Sequence, residues 1–312
     1  MPGRLSVGSR RGAYMALAFL TLIWGSNWVA MKFALQSAHP VMLNLQRTWL
    51  ATLILFAVLL WRRGPLLPES WLAVIVTGIF QTTINFGSTT MALAGGGAGR
   101  TSVLVFTMPF WTLLLAWPVL HERVKGYQWL AVACALAGMV LLVEPWQLHG
   151  ELAPKLWAVL SGFGWAAGTI ATKYFQRDHR FDALNFIAWQ MLVGVLPLTV
   201  LPFVFDLPVT QWSLTYGLLL VQVGAMSTAL GFLLWIAVLR WLPAGTASLN
   251  MFAIPVIALL SSMAVFGERL TRNEWIGIGC IGAGLAIISA DAWLGNRRGV
   301  SAVTEPTPLD GG

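Results

Sequence analysis

Ten long apolar runs, separated by short polar or Gly/Pro joints, occupy residues 13–35, 41–61, 71–93, 101–120, 126–144, 153–174, 184–205, 212–239, 244–266 and 274–292. Within each run both residue parities are apolar, so the alternation of a half-buried strand is missing. A membrane barrel strand would also be shorter, about ten residues. The runs predict helices, each long enough to cross a hydrocarbon layer of ~30 Å. Helices suit lipid because each satisfies its own backbone hydrogen bonds. The expected fold class is an all-α membrane protein with ten transmembrane helices.

The pattern is also duplicated. The stretch Ala98–Val143 returns without a gap 146 positions later as Ala244–Ser289. Ser102, Phe106, Pro109, Glu122-Arg123, Trp129 and Cys134 reappear as Ser248, Phe252, Pro255, Glu268-Arg269, Trp275 and Cys280. A second register, offset by 141, pairs Trp24, Lys32, Asn44, Trp71 and Gln81 with Trp165, Lys173, Asn185, Trp212 and Gln222. The two registers differ by the length of one loop, where a duplicated chain tolerates insertion. Two five-helix repeats follow, 13–144 and 153–292, with a basic segment 1–12 before them. The Pro-, Thr- and Gly-rich end supports a disordered tail over 293–312.

Composition agrees with this reading, since 57% hydrophobic against 10% charged residues is too apolar for a single water-soluble core. Thirteen Lys and Arg fall in the segments on the amino-terminal side of the membrane and six on the other. That bias places both termini in the cytoplasm. The net charge of +7 then reads as a topology signal and an attraction to anionic lipid, with no basic face for nucleic acid. The apolar run after Arg10-Arg11 is too long for a signal peptide and lacks a small-residue cleavage site. An odd number of spans per copy makes the second copy thread the membrane in the opposite sense. Inverted halves can take two asymmetric arrangements, one open to each side, which is the design of an alternating-access carrier.

Candidate binding groups come from polar residues within spans, because an amide or hydroxyl facing lipid has no partner. Gln81 and Asn85 are four apart, with Ser88 three further on, so an α-helix puts all three on one face. Trp24 and Asn27 share a face of the first span, repeated as Trp165 and Thr169 in the sixth. Gln222 is the repeat partner of Gln81, and Asn250 precedes Pro255 in the ninth span. These groups either converge on a cavity or bond helix to helix. Pro109 and Pro255 each remove a backbone hydrogen bond, with Phe106 and Phe252 just before them, so both helices should bend or break there and serve as hinges. Lys32, Lys173 and Arg47 lie within or at the ends of spans. They either snorkel to headgroups or hold a substrate carboxylate and lock gates. Glu122-Arg123 and Glu268-Arg269 read as helix-end anchors.

Other signals fail on context. Gly277-Ile278-Gly279-Cys280-Ile281-Gly282 fits a dinucleotide fingerprint but lies in an apolar span without a preceding strand, so it reads as a small-residue packing face. Gly95-Gly96-Gly97-Ala98-Gly99 lacks the lysine of a phosphate loop. Four His and two Cys show no metal-ligand spacing, and no cofactor is expected. No nucleophile or acid–base constellation supports an enzyme. The Asp and Glu residues fall at loops or helix ends, so no mid-span carboxylate is available for a proton relay.

Trp24-Gly25-Ser26-Asn27, the Pro109 and Pro255 helices followed by Glu-Arg pairs, and the duplicated ten-span layout together resemble the EamA branch of the drug/metabolite transporter superfamily over residues 13–292. The resemblance implies ten helices around a central cavity lined by the first, third, fourth, sixth, eighth and ninth spans. It also implies export of amino acids or related metabolites across the bacterial inner membrane. The expected binding residues are Trp24, Asn27, Gln81, Asn85, Phe106, Trp165, Thr169, Gln222, Asn250 and Phe252, with Pro109, Pro255, Lys32 and Lys173 in hinges and gates. The expected partners are a small-molecule substrate and the lipid bilayer, with homodimer formation open. A multidrug, sugar-phosphate or nucleotide-sugar carrier of the same fold is the alternative.

Overall fold

The computed structural model describes residues 10–121, 126–144, 152–177, 181–241 and 253–303, and among them every regular element is helical. The first three spans are α1 (Arg10–Ala34), α2 (Pro40–Trp61) and a compound helix of α3 (Trp71–Thr77), a π-helical segment (Gly78–Ile84) and α4 (Asn85–Gly95). The next two are α5 (Ala98–Val105) continued by α6 (Met108–Leu120), and α7 (Gly126–Val143). The second half supplies α8 (Leu152–Phe175), α9 (Ala183–Val204), then α10 (Leu214–Leu220), a second π segment (Val221–Leu230) and α11 (Gly231–Trp241), followed by α12 (Ala253–Phe266) and α13 (Arg272–Val303).

Seven helices among the described residues are long and apolar enough to cross a membrane, and Ala253–Phe266 is a shorter apolar helix. Helix starts follow local chemistry. Ser70, Asp182 and Ser213 each accept a backbone N–H of the first turn with the side-chain oxygen, and Pro40 opens α2 where its missing N–H costs nothing. The outward faces carry large apolar side chains such as Leu53, 64% exposed, and Phe203, 85% exposed, a surface that suits lipid and not water. The last helix runs to Val303, so residues 293–303, expected in a disordered tail, are helical. The reason is that no proline follows Arg272 until Pro306, and alanine, tryptophan, leucine and arginine all tolerate a helix.

The packing is paired in a way that mirrors the duplication. The helix α1 packs on α12, and its repeat partner α8 packs on α5 and α6, the repeat partners of the stretch that ends in α12. Likewise α2 packs on the second π segment, and α9 on the first. Two further partners, α2 with α9 and α7 with α13, pack directly on each other. At the α7–α13 crossing Gly138 and Gly277 face one another, and a Cβ on Gly138 would lie 2.5 Å from the Gly277 carbonyl. Gly277 is therefore a packing residue, whereas nothing lies within 4 Å of a Cβ built on Gly279 or Gly282.

Chain direction is fixed by contacts at one end of the bundle. Lys32, in the last turn of α1, donates to the Gly96 carbonyl at 2.6 Å. Pro154, in the first turn of α8, packs against Gly95. The end of α1 and the start of its repeat partner thus meet the same corner, and the two helices run in opposite directions. Gln211 N–H donating to the Ser37 carbonyl at 2.8 Å and Asn273 Nδ2 donating to Glu144 at 3.3 Å bring further loops to this end.

Candidate functional site

Four residues of α1, Trp24, Asn27, Trp28 and Met31, follow the i, i+3, i+4, i+7 spacing of one helix face, and all four line a central cavity of about 120 Å³. That volume is close to the ~150 Å³ of an engineered protein cavity that binds benzene. Asn85, Phe86 and Thr89 of α4 form a second wall, with Arg47 of α2 between. Phe106 and Met108 enter from the α5–α6 junction, Trp165 from α8, Ser227, Thr228 and Phe232 from the second π segment and the start of α11, and Ile254 from α12.

The aromatic side is built from the two repeat-related tryptophans. Phe232 lies between them, its ring centroid 6.3 Å from Trp24 and 6.3 Å from Trp165. Trp24 Nε1 donates to the Ser227 carbonyl at 2.8 Å, which fixes the indole plane. The indole is laid against Gly231, where a Cβ would stand 2.5 Å from Nε1.

The polar side contains a full positive charge. Arg47 is 5% exposed. Its Nη1 lies 3.1 Å from Met31 Sδ, its Nη2 donates to Thr228 Oγ1 at 3.2 Å, and the guanidinium carbon sits 4.4 Å from the Phe86 ring centroid. Its Nε is buried without a partner. None of the lining residues is Asp or Glu. Asn27 Nδ2 reaches the same Met31 sulfur at 3.2 Å, and Asn27 Oδ1 is buried without a partner. The Asn85 amide nitrogen is committed to α8, donating to Ser161 O at 3.0 Å and Ser161 Oγ at 2.9 Å.

Of the residues expected to bind solute, Trp24, Asn27, Asn85, Phe106 and Trp165 line the cavity. Gln81, Thr169 and Gln222 do not. Gln81 Nε2 donates to Thr169 Oγ1 at 3.1 Å and its Oε1 accepts from Gln190 Nε2 at 2.9 Å, so this trio ties the third span to α8 and α9. Gln81 lies in the π segment Gly78–Ile84 and still shares the α8-facing side with Asn85, but it sits a turn further along, beside Thr169, and so misses the cavity. Gln222 lies in the second π segment, at the equivalent place. Removing one member tests the trio. Gln190→Leu leaves Gln81 Oε1 short of a donor and is expected to cost about 1–2 kcal/mol of stability, read as a lower thermal midpoint in detergent with solute binding unchanged. Asn250 and Phe252 lie outside the described residues.

The fourth span breaks where its proline predicts. Helix α5 ends at Val105, Phe106 and Thr107 form a turn, and Pro109 sits in the first turn of α6. The carbonyl of Val105, which a proline nitrogen four residues on cannot serve, is approached by Gly162 of α8, where a Cβ would come within 2.8 Å. Pro255 lies in the first turn of α12, and the chain leading to that helix falls outside the described residues, as do Glu122 and Arg123. Lys32 does not face the cavity. It donates to the carbonyls of Leu93 at 2.7 Å and Gly96 at 2.6 Å, closing the end of α4. Beside it Glu268 accepts the Ala98 N–H at 2.7 Å and the Ser262 hydroxyl, capping α5. Arg100 and Glu274 add an ion pair at 2.8 Å. Lys173 is exposed at the far end of α8.

The signal that could have singled out Arg47 was its burial partners. An arginine one turn or two into a span beside Asn44 and Thr48 reads equally as a headgroup anchor, and only the tertiary fold turns it inward.

A bundle of apolar helices around an aromatic and polar cavity defines a multi-pass membrane protein with room for a small solute. The EamA-like transporter family matches residues 11–144 and again 153–290, and the chain belongs to that family. It is 27% identical over 269 residues to the uncharacterized transporter YoaV of Bacillus subtilis (strain 168), covering 84% of this chain and 91% of that protein. It is 27% identical over 294 residues to a protein of Salmonella typhimurium named a "Probable amino-acid metabolite efflux pump", covering 89% and 95%. The uncharacterized inner membrane transporter YedA of Escherichia coli (strain K12) is 24% identical over 282 residues, covering 89% and 91%. A solved crystal structure with 20% identity superposes with a TM-score of 0.63, covering 91% of this chain and 98% of its own, and shares the fold.

Proposed function

We infer that this protein is a secondary transporter that exports amino acids or closely related metabolites from the cytoplasm across the bacterial inner membrane by alternating access. The observation that carries the reading is the position of the cavity. It lies where residues of both halves of the duplication meet, Trp24 and Arg47 from the first and Trp165 and Phe232 from the second. Such a site can be exposed to either aqueous phase when the halves rock against each other. Ten spans in two oppositely threaded halves, 13–144 and 153–292, accommodate the opposite directions of α1 and α8. Both termini then face the cytoplasm, as the Lys and Arg bias requires. The break at Phe106–Thr107 is the hinge, and the Lys32 and Glu268 contacts close the outer end.

The amino-acid class is supported by the efflux-pump name of the Salmonella relative and by a cavity with aromatic surface on one side and amides and hydroxyls on the other. A sugar-phosphate or nucleotide-sugar cargo fits less well, because a phosphate ester carries about −1.5 to −2 charges and the wall offers one cation. A cationic drug would meet that cation and no carboxylate. Purified protein in proteoliposomes is expected to give saturable, competitively inhibited counterflow for at least one aliphatic or aromatic amino acid. Folded protein without saturable flux for any member of a full panel would count against the reading.

A further inference from the structure

The charge at the cavity wall has no counter-ion among the described residues. Arg47 is 5% exposed, and its neighbours are a thioether, a hydroxyl and an aromatic face, all neutral. A guanidinium keeps its charge at neutral pH, and an isolated buried charge is costly unless an opposite charge joins it. Structural arginines inside proteins are ordinarily matched by a carboxylate, yet this cavity has no acidic residue in its wall. One of its fork nitrogens, Nε, is buried with no acceptor among the described residues. Facing it across the Met31 sulfur is Asn27, whose Oδ1 is a buried acceptor with no donor. The site therefore has one unmet need for an anion and one for a hydrogen-bond donor, on two residues that touch the same Met31 sulfur, next to the Trp24–Phe232–Trp165 aromatic wall.

Building on the transport reading, we propose that Arg47 is the anchor for a substrate carboxylate, and that the ligand class is a monocarboxylate with an apolar or aromatic body. Asn27 Oδ1 receives an N–H or O–H on the carbon beside that carboxylate. The two subsites differ in strength. The carboxylate meets a full opposite charge in a desolvated wall, whereas an ammonium meets only a neutral amide oxygen and the faces of aromatic rings. The carboxylate is thus required and the amine is dispensable. A single cation also sets the valence, since a carboxylate neutralises it and a phosphate dianion leaves excess negative charge buried.

Three tryptophans line the cavity, so binding can be read by quenching of intrinsic fluorescence in the purified full-length protein. The probes are phenylalanine, 3-phenylpropionate, which lacks the amine, phenethylamine, which lacks the carboxylate, and phenyl phosphate. Phenylalanine and 3-phenylpropionate are expected to bind within about tenfold of each other, with phenethylamine and phenyl phosphate at least about 100-fold weaker. Arg47→Gln is expected to weaken both acids about 100-fold and to leave phenethylamine unchanged, while Arg47→Lys keeps the charge and recovers part of the affinity. The wild-type ranking alone decides the matter if a variant does not fold. Equal or tighter binding of phenethylamine or phenyl phosphate, unchanged affinity of the acids in Arg47→Gln, or binding of none of the four overturns the anchor. Saturable flux confined to a solute without a carboxylate overturns the anchor and spares the transport reading. Carboxylate binding without flux of any solute does the reverse.

Discussion

Gly231→Ala is expected to reduce flux through the reconstituted protein at least tenfold, although the same substitution in an ordinary helix is favourable by about 0.8–1.0 kcal/mol. Gly231 opens α11 in a helical conformation, so alanine meets no backbone penalty. The obstacle is lateral, because the new Cβ would stand 2.5 Å from Trp24 Nε1 and 3.2 Å from Cε2 of the same ring. The indole cannot simply slide away. It is held by its bond to the Ser227 carbonyl at 2.8 Å and flanked by Phe232 and Trp235, with ring centroids at 6.3 and 6.2 Å. It must tilt, losing a hydrogen bond worth about 1 kcal/mol and distorting the aromatic wall. Each ~1.4 kcal/mol of lost solute binding is a factor of ten in affinity. Combining Gly231→Ala with Trp24→Phe, whose ring lacks the Nε1 edge, should restore more flux than Trp24→Phe alone would predict from additive losses. Unimpaired flux in Gly231→Ala would show that the Trp24 plane does not matter to transport.

The second large effect concerns Glu268 and the tight corner between α4 and α5. The carbonyl end of α4 and the N–H end of α5 meet there, so partial negative and partial positive charge face one another across Gly95–Gly97. Lys32 binds the first and Glu268 the second, each matched to the sign of its helix end. Glu268→Ala removes a carboxylate that accepts both the Ala98 N–H and the Ser262 hydroxyl. Hydrogen bonds to a charged group contribute about 1.5–3 kcal/mol. The thermal midpoint in detergent is expected to fall by about 5 °C or more, with Glu268→Gln intermediate because it keeps an acceptor and loses the charge. Glu69→Ala, at an exposed loop position, should change little. Equal midpoints for Glu268→Ala and Glu69→Ala would remove Glu268 from the corner's energetics.

Much of the site was legible before any coordinates. Trp24, Asn27 and Trp165 were marked by symmetric placement inside apolar runs, and all three line the cavity. Pro109 marked the break at Phe106–Thr107 because a proline cannot donate to the carbonyl four residues back. Gln81 was misleading for a definite reason. Its spacing from Asn85 does put the two on one face, both turned to α8, but Gln81 lies a turn further along, where Thr169 and Gln190 take up its amide, partners that no local composition announces. Arg47 was ambiguous, since a basic residue two turns into a span reaches headgroups or core depending on which side of the helix faces its neighbours.

Sequence by itself determined the class of object: apolar runs of membrane-spanning length, duplicated in register, with charge segregated between their ends. Those features are local or periodic, and the physics behind them, the cost of exposing polar backbone to lipid, acts residue by residue. Tertiary structure alone decided which polar groups meet. Gln81 found Thr169 and Gln190, Lys32 and Glu268 found helix ends, and Arg47 found a wall without a carboxylate. A hydrogen bond or a desolvated charge depends on partners 50 to 200 positions away in the chain, and their approach is set by how helices rotate and cross.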